Sequence, residues 1–323
     1  MNKITENFTH VPVLIDTVLN YMNELKDGIL IDATFGLGGY SKALLENTNC
    51  KVFALDRDPD VKIYANKLFK KYKDRFVFST GKFSEILELK KKNNLKNIIG
   101  ITFDLGLSNL QIEDSKRGFS FKTNGPLDMR MSKKGLDAEK FINTVDEKTL
   151  SSILYRLGDE VYSKRISKAI LREREKEKIS STNRLAEIIR KVIPGKNFKI
   201  DKATKSFQAI RMHLNNELEE LKLGLIAAEN VIKPNGIIAV VSFHSNEDRI
   251  VKNFFAKCSG KKLNQVSKFL PDETITKSSF EIITKKPIVS SENEIKHNPK
   301  SRSAKLRIAK RTFSKPIHEV AAW

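Results

Sequence analysis

The alternation of short apolar runs with longer helical patterns is the feature that most constrains the fold of this chain. Runs rich in Val, Ile and Phe predict buried strands at 28–34, 51–56, 75–81 and 98–106. A segment with helical periodicity follows each of the first three. Parallel strands need crossover connections of this kind, so the pattern predicts an α/β fold with a mostly parallel sheet. A fifth run, at 237–243, follows a long helix predicted over 206–232.

The interval between the fourth and fifth runs has a different character. It is charged and helix-rich over residues 113–200, with few β-branched runs, and it predicts an inserted helical domain. The predicted domains are a first part of the sheet domain (1–112), the helical insert (113–202), a second part of the sheet domain (203–312) and a mobile tail (313–323). Near the end, 280–285 and 304–311 predict an antiparallel pair of strands.

The charge balance favours an anionic partner. Lys and Arg number 59 against 39 Asp and Glu, which gives a formal net charge of +20. Such a surplus attracts polyanions, so nucleic acid is the leading partner class. A solvated, Lys-rich surface would give the same composition, and charge alone does not decide the function.

Cysteine usage and hydropathy bear on the cellular compartment. Cys50 and Cys258 lie in no CxxC or Cys/His cluster, so we predict neither a disulfide nor a metal site. The start of the sequence lacks the apolar run of a signal peptide, and no later stretch approaches the ~18 apolar residues of a membrane span. A cytoplasmic protein without a membrane partner is expected.

The turn after the first predicted strand, DATFGLGGYS (32–41), is a candidate ligand site. Its glycines permit positive φ and close approach of a ligand to the backbone, and open α/β sheets bind ligands at the carboxyl edge. Asp56 ends the second predicted strand, 20 residues beyond Gly36, where a carboxylate can hold the ribose of an adenosine cofactor. A tight turn that only packs a helix on a strand would also use these glycines.

The spacing of the glycines separates two cofactor classes. A dinucleotide turn G-x-G-x-x-G starting at Gly36 would need glycine at position 41, which is Ser41. A pyrophosphate is thus poorly matched, and a nicotinamide-dependent oxidoreductase is the weaker alternative. S-adenosylmethionine has a sulfonium and an amino acid in place of phosphates, and a loop containing Asp32 suits it better. The fourth predicted strand brings Asp104, Ser108 and Gln111 to the same edge.

Nine motifs in order resemble those of the bacterial RsmH (MraW) family, the N4-cytidine methyltransferases of 16S ribosomal RNA. They are DATFGLGGYS (32–41), ALDRDP (54–59), GKFS (81–84), FDLGLSNLQ (103–111), RGFSF (117–121), GPLDMRM (125–131), SFQAIR (206–211), SFHSNEDRIVK (242–252) and NPKSRSAKLRIA (298–309). The resemblance implies a Rossmann-like class I methyltransferase sheet that binds S-adenosylmethionine. It also implies a substrate cytidine in the decoding region of the small (30S) ribosomal subunit.

The resemblance also implies which residues contact the cofactor. They are Gly38, Gly39, Tyr40, Asp56, Phe83, Asp104 and Gln111, with Phe83 able to stack on adenine. Family members usually have His at the position of Tyr40 and Ser-Pro at the positions of Asn109 and Leu110. The backbone of Tyr40 can still serve the cofactor, and the change at 109–110 affects the loop expected near the target base.

Candidate catalytic residues follow from the chemistry of the amine. The lone pair of N4 is delocalised into the ring, so catalysis needs hydrogen-bond acceptors and close alignment with the methyl group. Asp104 and Ser108 lie in the right region, and His244 after the fifth strand could accept the released proton. Alternatively, His244 is a hydrogen-bonded strut at a helix start, beside an ion pair of Asp248 with Arg249.

Candidate RNA contacts lie in the insert and near the end of the chain. Arg117, Arg130, Arg302 and Arg307 could pair with phosphates, and Phe119 and Phe121 could stack on an unstacked base. Equally, these two aromatic residues, with Leu127, Met129 and Met131, could form the hydrophobic seam between the insert and the core, and the last strand could have a solvated face. A non-catalytic RNA-binding or assembly factor would explain the charge, but not the acidic residues at the strand ends.

Overall fold

The computed structural model describes residues 12–195, 200–260 and 278–318. The chain divides into two compact units, the first made of Met1–Gly106 with Glu220–Trp323 and the second of Leu107–Glu219. The limits predicted for the helical insert, 113 and 202, both lie inside the second unit. None of the helices in the described residues is long and apolar enough to cross a membrane.

The first unit is built on one mixed sheet. Its described strands are β1 (Ile29–Asp32), β2 (Lys51–Asp56), β3 (Phe76–Thr80), β4 (Ile98–Asp104), β5 (Ile237–Ser242), β6 (Phe280–Ile282), β7 (Ile288–Val289) and β8 (Lys305–Arg311). The order is β3-β2-β1-β4-β5-β8-β6, with β7 also paired to β8. Strands β1 to β5 are parallel, and β8 runs antiparallel to both β5 and β6. The antiparallel pair predicted near the end of the chain is thereby confirmed.

The strand order places a topological switch point between β1 and β4. The chain leaves β1 outward to β3 and then returns to β4 on the other side. Open sheets bind ligands beyond the carboxyl ends of the strands at such a point. Asp32 is opposite Thr102 of β4, and Asp104 is opposite Val241 of β5, so the last residues of these strands share one edge. The predicted Rossmann-like methyltransferase fold class is confirmed.

Helices complete the two units, and each unit has its own apolar core. The described helices are α1 (Ile15–Met22), α2 (Gly39–Asn47), α3 (Lys62–Tyr72), α4 (Ile86–Lys92), α5 (Asn109–Glu113), α6 (Ala138–Thr144), α7 (Glu147–Gly158), α8 (Ser163–Lys176), α9 (Thr182–Val192), α10 (Thr204–Leu214), α11 (Glu217–Val231), α12 (Ser245–Cys258) and α13 (Glu292–His297). The central strands are covered on both faces, which is why they consist of nearly unbroken Ile, Val and Phe.

The prediction of one continuous helix over 206–232 is wrong, because the structure has two separate helices there, α10 and α11. Asn216 lies between them with φ 52°, a left-handed conformation that Asn tolerates better than most residues. The side-chain amide of Asn215 donates to the carbonyls of Met129 and Arg211, at 2.7 and 2.9 Å. These bonds compensate for the interrupted helix.

Part of the segment predicted as a mobile tail contacts α11. The backbone N–H of Ile317 donates to Glu229 Oε1 at 2.8 Å, and the ring of His318 lies 2.8 Å from Glu229 Oε2. Ile317 and His318 therefore lie against α11, while 319–323 lie outside the described residues.

Candidate cofactor and catalytic site

The glycine turn after β1 is held by the end of β2. Gly36 and Gly38 have φ of 52° and 84°, and a Cβ at Gly38 would meet Leu68 and Phe35 at 2.8 Å. The N–H of Gly36 donates to Asp56 Oδ2 at 2.7 Å, and the N–H of Asp58 donates to Asp56 Oδ1 at 2.9 Å. The two sequence features, the turn and the carboxylate 20 residues later, are thus joined directly.

Asp32 ties the turn to β4. It is fully buried, and it accepts from Ser41 Oγ at 2.6 Å and from the N–H of Thr34 at 3.2 Å. Thr34 Oγ1 in turn accepts the N–H of Asp104 at 2.7 Å. The roles of Ser41 and Thr34 were missed from the sequence, where Ser41 served only to exclude a dinucleotide turn.

Asp32, Asp56 and Asp104 end β1, β2 and β4, and we call the part of the sheet edge that they form the acidic edge. Asp104 is its most unusual group. Its Oδ1 is shielded from solvent and has no hydrogen-bond partner among the described residues. Burial, then the neighbouring charges of Asp32 and Glu247, raise the pKa of Asp104 to about 8. Burial also raises the pKa of Asp32 and of Asp56 to about 6. A ligand that brings positive charge fits this edge, whereas a pyrophosphate would add to the repulsion.

Tyr40 and Phe83, which were predicted to contact the cofactor, also make contacts within the protein. The hydroxyl of Tyr40 donates to the carbonyl of Val13 at 2.5 Å, and its ring is buried, so only its backbone faces the turn. The ring of Phe83 packs edge-on against Phe103 with centroids 5.6 Å apart. Phe83 remains half-buried at the end of the β3 connection.

Glu220 stabilises the connection that carries Phe83. One carboxylate oxygen accepts from Lys82 Nζ at 2.8 Å, and the other accepts from Ser84 Oγ at 2.6 Å. The residues on both sides of Phe83 are therefore held by one nearly buried carboxylate of α11. A separation of 136 to 138 residues hid this from the sequence.

Ser108 and Gln111 belong to the second unit, where they cap α5. Ser108 Oγ accepts the N–H of Gln111 at 3.3 Å, and Gln111 Oε1 accepts the N–H of Ser108 at 3.2 Å. This reciprocal pair fixes the start of a short helix. Asn109 and Leu110, which depart from the family pattern, are the first two residues of that helix.

His244 is the N-cap residue of α12. Glu247 Oε2 accepts the N–H of Phe243 at 2.9 Å and the N–H of His244 at 3.1 Å, as in a capping box. The same Glu247 is one of the charges that raise the pKa of Asp104. The alternative that His244 stands at a helix start is confirmed, and its role as proton acceptor stays a prediction.

The predicted ion pair of Asp248 with Arg249 is wrong. Asp248 instead binds Arg307 of β8, with Nε–Oδ1 and Nη2–Oδ2 distances of 2.6 and 3.2 Å. Arg307 is buried, and this contact holds α12 against the sheet. Because its guanidinium is enclosed, Arg307 cannot act as the RNA contact expected from the sequence.

Arg117 was expected to be an RNA contact, but in the structure it is buried and bonds to the protein backbone. It is buried in the second unit, and Nη2 donates to the carbonyls of Arg130 and Met131, both at 2.9 Å. Arg130 is partly exposed and forms a two-pronged pair with Asp128, at 3.0 and 2.6 Å. Arg302 is exposed on a short helical turn before β8.

The aromatic and Met side chains of the insert are packed inside the second unit. Phe119, Leu127, Met129 and Met131 are buried in its apolar core, and Phe121 packs against that core. These residues are therefore core residues of the second unit itself, and the predicted seam between insert and core stays a prediction.

Known proteins are similar to this chain over nearly its whole length. The profile of the MraW methylase family matches residues 7–312. The chain belongs to the MraW methylase family. A ribosomal RNA small subunit methyltransferase H from Rickettsia bellii (strain RML369-C) is 47% identical over 304 residues, covering 94% of this chain and 98% of that protein. The protein of that name from Ehrlichia ruminantium (strain Welgevonden) is 44% identical over 302 residues, covering 92% and 98%.

The cofactor of this methyltransferase is S-adenosylmethionine. The acidic edge fits it, because S-adenosylmethionine brings a sulfonium and an ammonium and no phosphate. The unpartnered Oδ1 of Asp104 offers an acceptor to such a cation, and the turn of Gly36 and Gly38 leaves its backbone uncovered by side chains of its own.

Proposed function

We propose that this chain methylates the exocyclic N4 of one cytidine in the decoding region of 16S rRNA, in the small ribosomal subunit. Three observations support the proposal. The relatives carry the name of small-subunit rRNA methyltransferases, the motifs resemble those of N4-cytidine enzymes, and the net charge of +20 suits a polyanionic substrate.

The observation that carries the proposal is Asp104. A carboxylate with a shielded, unpartnered oxygen is costly unless a ligand completes it. It lies at the end of β4, at the switch point where ligands bind. A positively charged cofactor stabilises its ionised form, and an ionised carboxylate can then accept a hydrogen bond from an amine.

The proposed cofactor contacts combine backbone and side-chain groups. Gly38, Gly39 and Tyr40 would contribute through the backbone, Asp56 would hold the ribose, and Phe83 would contact the adenine. Asp104 would face the positive end, and Gln111 is proposed from the family pattern alone. When bound, S-adenosylmethionine supplies a methyl group activated by its sulfonium.

The proposed methyl transfer needs hydrogen-bond acceptors for the N4 amine and a group that takes up the released proton. Asp104 and Ser108 would accept hydrogen bonds from the N4 amine, which localises its lone pair toward the methyl group. His244, at the start of α12, would take the released proton near neutral pH. Exposed Arg302 and partly exposed Arg130 are the remaining proposed phosphate contacts.

The test is methyl transfer to small subunits that lack the modification. Purified full chain is incubated with these subunits and radiolabelled S-adenosylmethionine, the RNA is digested, and the labelled nucleoside is identified. N4-methylcytidine formed by the native chain and not by Asp104→Ala is the expected result. Label in another nucleoside would reject the N4-cytidine assignment. Cofactor binding without any transfer would instead favour the assembly factor.

A further inference from the structure

Glu229, Cys258 and His318 form a cluster away from the proposed catalytic edge. Glu229 is on α11, Cys258 ends α12, and His318 belongs to the segment after β8. Arg311, whose Nε donates to the carbonyl of Glu229, is the last residue of β8 and is paired with the first residue of β6. Since β8 is antiparallel to β5, the cluster lies toward the amino ends of the parallel strands.

The three side chains are close enough to share one ion. His318 Nδ1 is 2.8 Å from Glu229 Oε2, Cys258 Sγ is 3.7 Å from Glu229 Oε1, and Cys258 Sγ is 3.9 Å from His318 Nδ1. A tetrahedral ion with bonds of about 2.0–2.3 Å places its ligand atoms roughly 3.3–3.7 Å apart. Shifts of a few tenths of an ångström would therefore complete the geometry.

The surroundings orient the three ligands. Glu229 Oε1 also accepts from Ser279 Oγ and from the N–H of Ile317, and the ring of Phe254 stacks on His318 at 5.4 Å with an interplanar angle of 18°. Outer partners of this kind fix ligand orientation in metal sites. Glu229 and Cys258 are fully buried, while the side chain of His318 is 19% exposed and offers a path for an ion.

We propose that Glu229, Cys258 and His318 bind one zinc(II) ion, which fixes residues 313–318 to α11 and α12 and takes its fourth ligand from solvent. Thiolate, imidazole and carboxylate are the donors that zinc uses in proteins. Sequence spacing gave no hint of the site, because the ligands span 89 positions.

Binding of the proposed ion would depend on pH. Zinc binding displaces the protons of its thiol and imidazole ligands, so uptake should release protons and strengthen as pH rises. The ion also replaces the His318–Glu229 contact as the link to the C-terminal segment.

The test uses cobalt(II) as a spectroscopic probe of the tag-free full chain after removal of metal. One equivalent of Co²⁺ should give thiolate-to-cobalt charge-transfer absorption, and Zn²⁺ should abolish it by displacement. Cys258→Ser should lose the band, while Cys50→Ser, the other buried cysteine, should keep it. His318→Gln should weaken binding by at least roughly 100-fold, since loss of even an outer partner costs 10–100-fold, and His297→Gln is its control.

Three results would overturn the proposal. They are no charge-transfer band in the native chain, a band that survives in Cys258→Ser, and equal affinity in His318→Gln. Folding of each variant is checked by circular dichroism and by S-adenosylmethionine binding. If Cys258→Ser does not fold, the comparison of His318→Gln with His297→Gln decides, because both are partly or fully exposed positions.

Discussion

Replacing Asp104 with asparagine should remove most of the pH dependence of cofactor binding. Burial, then Asp32 and Glu247, raise the pKa of Asp104 from 3.8 to about 8, so the free carboxyl is protonated at neutral pH. It becomes charged as the pH rises through about 8. A cationic ligand favours the charged form, so S-adenosylmethionine should bind more tightly as the pH rises.

The size of the effect follows from the ionised fraction of the free protein. With a pKa of about 8, roughly 1% of Asp104 is ionised at pH 6 and about half at pH 8. If the complex requires the ionised form, affinity should rise about 50-fold over this range. Asp32 and Asp56, each with a pKa raised by burial to about 6, add at most roughly twofold each.

Isothermal titration calorimetry at pH 6, 7 and 8 measures this directly. The ratio of native to Asp104→Asn affinity cancels the ligand's own titration and the contributions of Asp32 and Asp56. A ratio that stays constant from pH 6 to 8 would refute the reasoning. Denaturant unfolding serves as the folding control: because the native pKa is raised, the carboxyl costs stability above the unfolded pKa, and Asp104→Asn should gain on the order of 5 kcal/mol at pH 8 and little at pH 4.

Four further substitutions separate structural roles from functional ones. Ser41→Ala removes the partner of buried Asp32 and should cost roughly 1–3 kcal/mol in urea unfolding while weakening cofactor binding. Gly38→Ala forces a Cβ onto a left-handed backbone against Phe35, and it should cost roughly 1–3 kcal/mol and abolish binding in calorimetry. Arg307→Ala leaves Asp248 with Lys305 Nζ at 3.6 Å as its remaining cationic partner and should cost up to about 3 kcal/mol. Arg302→Ala should change stability by less than about 0.5 kcal/mol and reduce the salt dependence of RNA binding by about one unit of slope.

Sequence patterns predicted the parts of the fold that are determined by residues close together along the chain. Strands β1 to β5 followed from apolar runs, and the glycine turn followed from a feature within ten residues of one strand. Asp56 was singled out by its spacing as a candidate ribose ligand, whereas its hydrogen bond with the N–H of Gly36 was found only in the structure. In such cases the backbone conformation and its partner are close along the chain, so the residue types are informative.

The predictions failed for side chains whose partners lie far away along the chain. Arg307 looked like a surface cation, yet its partner Asp248 lies 59 residues away, and together they form a buried strut. Arg117 satisfies two carbonyls inside the insert. Charge in a sequence says little about exposure, because a buried guanidinium and a solvated one look alike until their partners are known.

The cofactor site is acidic, whereas the whole molecule has a positive net charge. We expect the bases and the phosphates of an RNA substrate to respond differently to these two charges. The net charge of +20 attracts phosphates from a distance, while Asp32, Asp56 and Asp104 make the cofactor edge acidic. Screening limits each surface charge to about 8–10 Å at physiological salt, so the two fields remain local. We expect an uncharged base that has left its stack to approach the acidic edge more readily than the phosphates of the RNA, which the carboxylates repel. A positively charged methyl donor gains from the same carboxylates, and a pyrophosphate cofactor would not.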